Sequence, residues 1–531
     1  MTEAPHGNTD RMKRFSFHFD EPYSAFELLE TEPSTHDANP KPNRKAGEAE
    51  EIPSRLEQVT AQLMTTFCAD RNPDLILRRF RVGNRIDALA AFLNGMADGV
   101  RIDDFLIRPA MKTDPETLSE RTPRALLHNV FPVDEITPSE SFPEAVEAIT
   151  EGRTALFFAG QRCCLLADTR GYPSRSVGEP KTETVVLGPH EAFTENLRTN
   201  VTLLRRILRR PDMIASFEPS GGRNGTKLAL CYLDGIVNPR LLAEAQRRLE
   251  RIEAGAVLSI GALEQRIEDH PWLPLPQTLK TERPDRVAAA LTDGKVAVLL
   301  EGSPMACVFP ATLGLLFSSA EDAAARRPVG TLLRFVRAAG AIVSVFLPAY
   351  FLALAEHHAG QLSGEVLSVV LSSHVMVFLP LPVEMIFLLL VFQLVREAGI
   401  RVPGVVGHAI GIIGGLLLGQ AAVAAHLVST VALIVVALAG LGNFTIPDYS
   451  TQLCIAYYRV ALCVVAALGG FLGIGSMTLV TIAVLCSVKS FGVPMLSPLA
   501  PVANAVRPFL VRGKLGKRFA PEDIMNAEGR L

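Results

Sequence analysis

The chain has 531 residues and a formal net charge of −3, and 48% of its residues are hydrophobic while 20% are charged. A length of this order allows two or three domains with substantial cores. Because there is no basic surplus, we expect no nucleic-acid partner. The eight cysteines have no C-x-x-C spacing, which argues against a disulfide scaffold or a zinc site. No metal and no cofactor are predicted.

The N-terminal part of the chain, up to residue 325, is rich in charged residues and is predicted to form two α/β subdomains after a tail. Residues 1–53 are polar and crowded with Pro, Asn, Lys and Glu, so we expect a disordered tail. The opening MTEAPHGNTD has no signal-peptide pattern, so a cytoplasmic location is expected for the soluble part.

The first subdomain is placed at residues 54–138. Leu56, Val59 and Leu63 in SRLEQVTAQLMTTF share one face of a predicted helix. DLILRRFRV follows as a predicted strand, and IDALAAFLNGM has the pattern of a second helix.

The second subdomain is placed at 139–325. The predicted helices are FPEAVEAITEG, PRLLAEAQRRLERI and DRVAAALTDG, and the predicted strands are TALFFAG, CCLLADT, LALCYLDG and KVAVLLEGSP. Strands that alternate with helices indicate an α/β or α+β fold. We interpret the arginines of LLRRILRR, 203–210, as one solvated helix face, and no internal repeat is evident. TERPDRVAAAL is read as the start of a helix, with Pro284 in its first turn and Asp285 against the helix dipole.

Residues 326–500 form a predicted all-α polytopic membrane domain, because long uncharged runs approach the ~20 residues that cross a bilayer. AAGAIVSVFLPAYFLALA and MIFLLLVFQLV are the first two candidate spans, and VLSVVLSSHVMVF between them is expected at the interface or as a re-entrant piece. The segment 402–447 has room for two more spans. Between Arg459 and Lys489 there is either a pair of short spans hinged at GGFLGIG or one long tilted helix, which gives five or six spans.

Basic residues predict the orientation of this domain. Arginines stand before the first span and after the second, and the 501–531 tail contains the basic run RPFLVRGKLGKR. The positive-inside rule places all three groups, and both termini, in the cytoplasm. An even number of crossings, six or four plus re-entrant pieces, fits this arrangement better than five.

The run VVGHAIGIIGGLLLGQAAV contains a stripe of glycines that could suggest a phosphate loop. No Lys follows the last glycine, so that interpretation is rejected. The stripe instead allows close helix packing, either within a subunit, which we favour, or between subunits or along a pore wall. Its members are Gly407, Gly411, Gly415 and Gly419.

Polar residues inside apolar segments are costly and therefore candidates for function. They are Glu384, Gln393, His408, Gln420, Asn443 and Asp448. Glu384 and Gln393 could merely hydrate at headgroup level, or Glu384 could face a water-filled cation path; His408 is expected at the interface. No catalytic triad, HExxH motif or defensible carboxylate pair is present in the soluble part, so no enzyme activity is predicted.

Several longer motifs in one order resemble a known family. They include RRFRVG, FTENLRTN, YLDGIVNP, TERPDRVAAALTDGKVAVLLEGSP, FQLVREAGIRVP, NFTIPDY and SFGVPMLSPLAP. Together they are similar to the GerA family of spore germination proteins, specifically the A subunit of the germinant receptor.

This resemblance implies a subunit of the spore inner membrane that works with a permease-like B subunit and a lipoprotein C subunit. It further implies a homo-oligomeric ring, a pentamer, that forms a nutrient-gated cation channel. Two alternatives stay open: a paralogue similar to stage V sporulation protein AF, and a non-conducting scaffold that couples the nutrient-binding subunit to downstream factors. A carrier with inverted repeats is ranked last, because no such repeat is seen.

Overall fold

A computed structural model describes residues 51–113, 130–133, 135–171, 178–219, 226–252, 257–401, 419–497 and 499. The predicted 501–531 tail and nearly all of the predicted 1–53 tail lie outside these residues. Ordered structure begins before residue 54, since Ile52 is buried and Glu51 forms a β-bridge with Ser141.

The first α/β unit is a five-stranded antiparallel sheet. Its strands are β1 (Leu75–Val82), β2 (Ile86–Leu93), β3 (Ile136–Ser139), β4 (Thr154–Phe158) and β5 (Cys164–Ala167), in the spatial order β1-β2-β4-β5-β3. Helices α1 (Leu56–Thr66) and α2 (Phe142–Thr150) cover one face. The short helical pieces Gly99–Arg101, Ile102–Ile107 and Arg108–Lys112 cover the other. The sheet therefore continues past residue 138, and the predicted division at that position falls inside β3.

The predicted helix IDALAAFLNGM is wrong, because these residues form β2. Its side chains alternate between two cores: Leu89 and Leu93 enter the core beneath α1 and α2, whereas Ala88 and Phe92 enter the opposite one. Alanine favours helices as an intrinsic preference. Here pairing with β1 on one side and β4 on the other outweighs that preference.

The second α/β unit repeats the first. Strands β6 (Met213–Pro219), β7 (Lys227–Leu233), β8 (Leu279–Thr281), β9 (Val296–Leu300) and β10 (Ala306–Phe309) have the order β6-β7-β9-β10-β8, which is the same topology. Helices α3 (Leu197–Leu208), α4 (Pro239–Glu250), α5 (Ile260–Ile267) and α6 (Pro284–Thr292) belong to this unit.

The repeat extends to the pairing register and the turns. Thr154 pairs with Ala167 in the first unit, as Val296 pairs with Phe309 in the second. The turns before β4 and β9 both use a glycine with positive φ, Gly152 at 93° and Gly294 at 86°. The structure thus contains an internal repeat, although none is evident in the sequence.

The helical region follows two short turns, Leu313–Leu316 and Glu321–Ala324. It contains α7 (Arg327–His357), the 3-10 turn Ala359–Gln361, α8 (Gly364–His374), α9 (Leu381–Arg401), α10 (Thr430–Phe444) and α11 (Tyr449–Ser487). Among the described residues, α7 and α11 are long and apolar enough to cross a membrane. Outward apolar side chains such as Leu468 and Leu472 are strongly exposed, which suits a lipid environment. The count of five or six spans stays a prediction.

Helix α11 reverses direction at Gly470, where φ is 56° and ψ is −138°. Two contacts show that the two halves lie side by side. Thr481 Oγ1 in the second half donates to Tyr458 OH in the first at 3.0 Å. Cys454 near the start of α11 and Leu485 near its end both pack against the core of the second sheet. This break lies within the predicted GGFLGIG hinge, so the hairpin and not the single tilted helix is the arrangement observed.

Residues 488–495 return to the second α/β unit. They form a small hairpin of β11 (Lys489–Ser490) and β12 (Val493–Pro494), and Val488 and Met495 enter the core of the second sheet. Phe491 stacks on Phe309 with ring centroids 4.2 Å apart. Although the predicted membrane domain extends to residue 500, this segment packs with the α/β region because its apolar side chains complete that core.

Candidate functional site

Glu384, the acidic candidate of the predicted cation path, is fully buried at the start of α9. Its carboxylate accepts a hydrogen bond from the backbone N–H of Ser429, the N-cap residue of α10, and lies 3.0 Å from Nδ1 of His374 in α8. A negative charge at a helix N-terminus is favourable. In this position Glu384 joins three helices at the end of the bundle away from the sheets.

The other polar candidates have different surroundings. Gln393 is half-buried and its Oε1 has no partner among the described residues, whereas Gln420 is exposed. Asn443 is 1% exposed, and neither side-chain amide atom has a described hydrogen-bond partner. Asp448 is the N-cap of α11 and accepts from the N–H and Oγ1 of Thr451.

Most of the predicted glycine stripe lies outside the described residues. Gly407, Gly411, Gly415 and His408 lie outside the described residues. At Gly419 an added Cβ would find Leu433 at an ordinary contact distance of 3.6 Å, so a close helix approach is not required there. Packing along this stripe stays a prediction.

A tight glycine contact exists elsewhere, between α7 and α10. A Cβ at Gly442 would overlap the carbonyl oxygen of Gly340, and a Cβ at Gly340 would overlap Thr445. The backbones of the two helices therefore touch, and neither position has room for a side chain. The isolated spacing of these two glycines gave no signal in the sequence.

Two arginines, Arg396 and Arg459, enter the helical bundle. Arg459 lies inside the first half of α11, is 2% exposed, and donates from Nη1 to Ser344 Oγ at 3.0 Å and to the Ala439 carbonyl at 3.1 Å. Arg396 of α9 is 9% exposed, and none of its three side-chain nitrogens has a described hydrogen-bond partner. Arg459 therefore lies in the interior of the bundle.

The start of α7 is fixed to the preceding segment by one buried carboxylate. Asp322, 1% exposed, accepts from Arg334 Nε at 3.2 Å and from Arg337 Nη1 and Nη2 at 2.9 and 3.1 Å. Arg337 also donates to the Phe317 carbonyl at 3.0 Å. Charge-assisted bonds of this kind are the stronger class of hydrogen bond, so the first turns of α7 are held to the end of the α/β region.

The chain after α11 is held by a second set of charged groups. Asp269 accepts from the Phe491 N–H at 2.7 Å and from Nη2 of the buried Arg248, whose guanidinium lies 4.0 Å from the centre of the Phe491 ring. Ser490 Oγ donates to the Gln277 carbonyl and accepts from the Ala311 N–H. The second α/β unit thus contacts both ends of the helical region.

Acidic groups beside this contact have perturbed pKa values. Burial, with the Glu264 charge as the next contribution, raises the pKa of Glu268 to about 8. Burial also raises the pKa of Asp269, although the nearby Arg248 opposes the shift. Folding therefore favours the protonated form of Glu268.

The two α/β units are joined by an ion pair within the arginine run 203–210. Arg205 is 3% exposed and donates from Nη2 to Asp74 Oδ2 at 2.9 Å and to Asn72 Oδ1 at 3.0 Å in the first unit. The interpretation of this run as one solvated face is wrong at Arg205. TERPDRVAAAL forms the start of α6 as predicted, with Pro284 at its first position and Asp285 in its first turn.

Comparison with known proteins identifies the family. The model of the GerA family, which is described as "Bacillus/Clostridium GerA spore germination protein", matches residues 62–520 of this chain. The chain belongs to the GerA family. This confirms the resemblance drawn from the sequence motifs.

Individual relatives of this GerA-family chain cover most of its length. Spore germination protein KA of Bacillus subtilis (strain 168) is 31% identical over 433 residues, which is 81% of this chain and 79% of that protein. Stage V sporulation protein AF of the same organism is 30% identical over 449 residues, 83% of this chain and 89% of that protein. The N-terminal domain of the A subunit of the Bacillus megaterium spore germinant receptor GerK3 matches 50% of this chain and 98% of its own, at 24% identity and a TM-score of 0.39.

Proposed function

We propose that this chain is the A subunit of a spore germinant receptor and forms an oligomeric, nutrient-gated cation channel in the spore inner membrane. Membership of the GerA family and similarity to named spore germination proteins support a role in germination. The channel proposal depends mainly on two contacts of the α/β region with the helical region. Asp322 binds Arg337 near the start of α7, and Asp269 binds the backbone N–H of Phe491 just after α11.

This arrangement allows a movement of the α/β region to reach the membrane helices. The carboxylate of Asp322 holds the start of α7, and the Asp269–Phe491 contact holds the chain just after α11. A displacement of the second unit would therefore pull on the first and last helices together. Rigid-body rotation of a packed unit is a common means of switching.

The proposed partner subunits follow from the family resemblance, and the proposed orientation in the membrane follows from the positions of the basic residues. The chain would work with a B subunit and a C subunit, assemble as a pentamer, and keep both termini in the cytoplasm. Gln393 and Gln420 remain candidates for the lining of a pore, whereas the buried contacts of Glu384 favour a structural role for that residue.

Reconstitution tests the channel proposal. Full-length protein would be placed in liposomes loaded with potassium, alone and together with B and C subunits, and potassium release would be followed after nutrient addition. We expect release that depends on nutrient and on all three subunits. Absence of release with folded protein in a closed ring would contradict the proposal.

The similarity to stage V sporulation protein AF supports a second candidate, a paralogue of that kind that works without a nutrient-binding subunit. Potassium release that is independent of the B and C subunits would favour it. A folded assembly without a central path would favour the non-conducting scaffold.

A further inference from the structure

Three buried polar side chains in the helical bundle have donors without a described partner. Arg396 has three such nitrogens, Arg459 has its Nε, and Asn443 has its side-chain amide. They are 9%, 2% and 1% exposed, respectively. Burying a guanidinium without a partner is costly, and ionisable groups at membrane depth normally find a counter-charge.

Contacts between the helices bring these groups together. Arg459 donates to the carbonyl of Ala439, which precedes Asn443 by one helical turn and therefore shares its face of α10. Phe392, one turn before Arg396 on α9, lies against Gly440 and packs on Phe444 with ring centroids 6.0 Å apart. Arg396 and Phe392 share one face of α9, so Arg396 lies toward the end of α10 that carries Asn443.

Asn443 and Arg396 lie near the end of the bundle that faces the sheets, and Arg459 lies ten residues after Tyr449, the first residue of α11. Asn443 is one residue from the end of α10, and the adjoining Thr445 donates to the carbonyl of Arg337. Arg396 is five residues before Arg401, the last residue of α9, which is about 7.5 Å along the helix. If the bundle spans a bilayer, this is close to the level of lipid phosphates.

From this geometry we propose that Arg396, Arg459 and Asn443 form a binding site for a phosphate group. Two positive charges exclude a cation. Guanidinium groups bind phosphate oxygens through paired hydrogen bonds. The donors belong to three different helices, α9, α10 and α11, and a tetrahedral phosphate offers them more oxygens than a planar carboxylate does.

A bound phosphate would hold α9, α10 and α11 together and neutralise the buried charge. The phosphate group belongs either to a lipid headgroup or to free inorganic phosphate, and both present the same oxygens. This inference is independent of the proposed channel, because it depends on helix contacts alone.

The test uses full-length protein in detergent after lipid depletion. Inorganic phosphate, short-chain phosphatidylglycerol below its micellar concentration, and sodium chloride at matched ionic strength are titrated separately, and binding and thermal unfolding are recorded. We expect saturable binding and a raised Tm with at least one phosphate compound and not with chloride. Binding of inorganic phosphate identifies the free anion, and binding of the lipid alone identifies a headgroup site.

Variants localise the binding. Arg396→Gln and Arg459→Gln should each weaken phosphate binding at least about tenfold, because each removes charge-assisted hydrogen bonds. Arg326→Gln is the matched control, since this exposed arginine lies outside the cluster at the same end of the bundle, and its binding should equal that of the wild type.

Asn443→Leu provides a variant of similar size that keeps both charges, and it should weaken binding less than either arginine change. It also keeps the test decisive if an arginine variant does not fold. The proposal is overturned if neither phosphate compound binds saturably, or if binding is unchanged in the folded cluster variants.

Discussion

Removal of the Asp322 carboxylate should loosen α7 from the α/β region. In Asp322→Ala, Arg334 and Arg337 lose three hydrogen bonds of 2.9–3.2 Å to one buried group. Breaking a buried ion pair from one side costs about 3–5 kcal/mol. Because the two arginines are 19% and 12% exposed and Arg337 keeps its bond to Phe317, we expect the lower end, about 3 kcal/mol.

Thermal unfolding with a thiol-reactive dye measures this change. Cys231 and Cys307 are buried in the second sheet, and burial raises the pKa of Cys231 to about 12, so these thiols react once the sheet opens. We expect Tm to fall by roughly 5 °C, and nutrient-dependent potassium release in liposomes to be lost or to become independent of nutrient.

Two companion variants make the result specific. Glu321→Gln removes the neighbouring negative charge, which makes none of these hydrogen bonds, and should behave like the wild type. Asp322→Asn keeps the shape and one acceptor and should fall between wild type and Asp322→Ala. An unchanged Tm and unchanged release in Asp322→Ala would refute the argument that this carboxylate couples α7 to the α/β region.

Three further changes have defined outcomes. Glu384→Gln should lower the stability of the bundle by about 1–3 kcal/mol, because a buried charge-assisted contact is lost. The cation selectivity of any current should stay the same. A shifted reversal potential would instead place this residue on the ion path. Gly442→Ala should lower Tm in detergent, because its methyl group would overlap the Gly340 carbonyl. The control Gly475→Ala adds a methyl group in open space and should leave Tm unchanged. Equal Tm values for the two variants would contradict the close contact. The pKa of Glu268 is raised to about 8 in the folded protein, against an ordinary value of 4.5. Between these pH values the folded protein binds a proton that the unfolded chain releases. The free energy of unfolding therefore falls as pH rises, by up to about 1.4 kcal/mol per pH unit. Glu268→Gln should remove this part of the slope in Tm measured from pH 5 to 8, and parallel curves for variant and wild type would exclude it.

Local sequence signals predicted several elements correctly. Leu56, Val59 and Leu63 are the buried residues of α1, as their spacing required. Pro239 stands at the first position of α4, and Asn238 caps that helix with its side chain. Such signals work because a helix start depends on a few neighbouring residues.

Other features depended on partners distant in the chain. The alanine-rich β2 reads as a helix in isolation and becomes a strand because β1 and β4 pair with it. Arg205 reads as part of a solvated run, yet Asp74, far away in sequence, makes its burial favourable. Arg459 reads as the edge of an apolar segment until Ser344 and the Ala439 carbonyl accept its hydrogen bonds.

The sequence by itself determined the family and the division into a charged α/β part and an apolar helical part, and it offered the hinge in GGFLGIG as one of two alternatives. These follow from composition, short-range spacing and long motifs, which are all local properties. The tertiary structure decided the repeated sheet topology, the return of residues 488–495 to the second sheet and the burial of Arg396, Arg459 and Asn443 in the helical bundle. Each of these depends on contacts between residues far apart in the chain. The energies of such contacts cannot be read from the sequence pattern of a single segment.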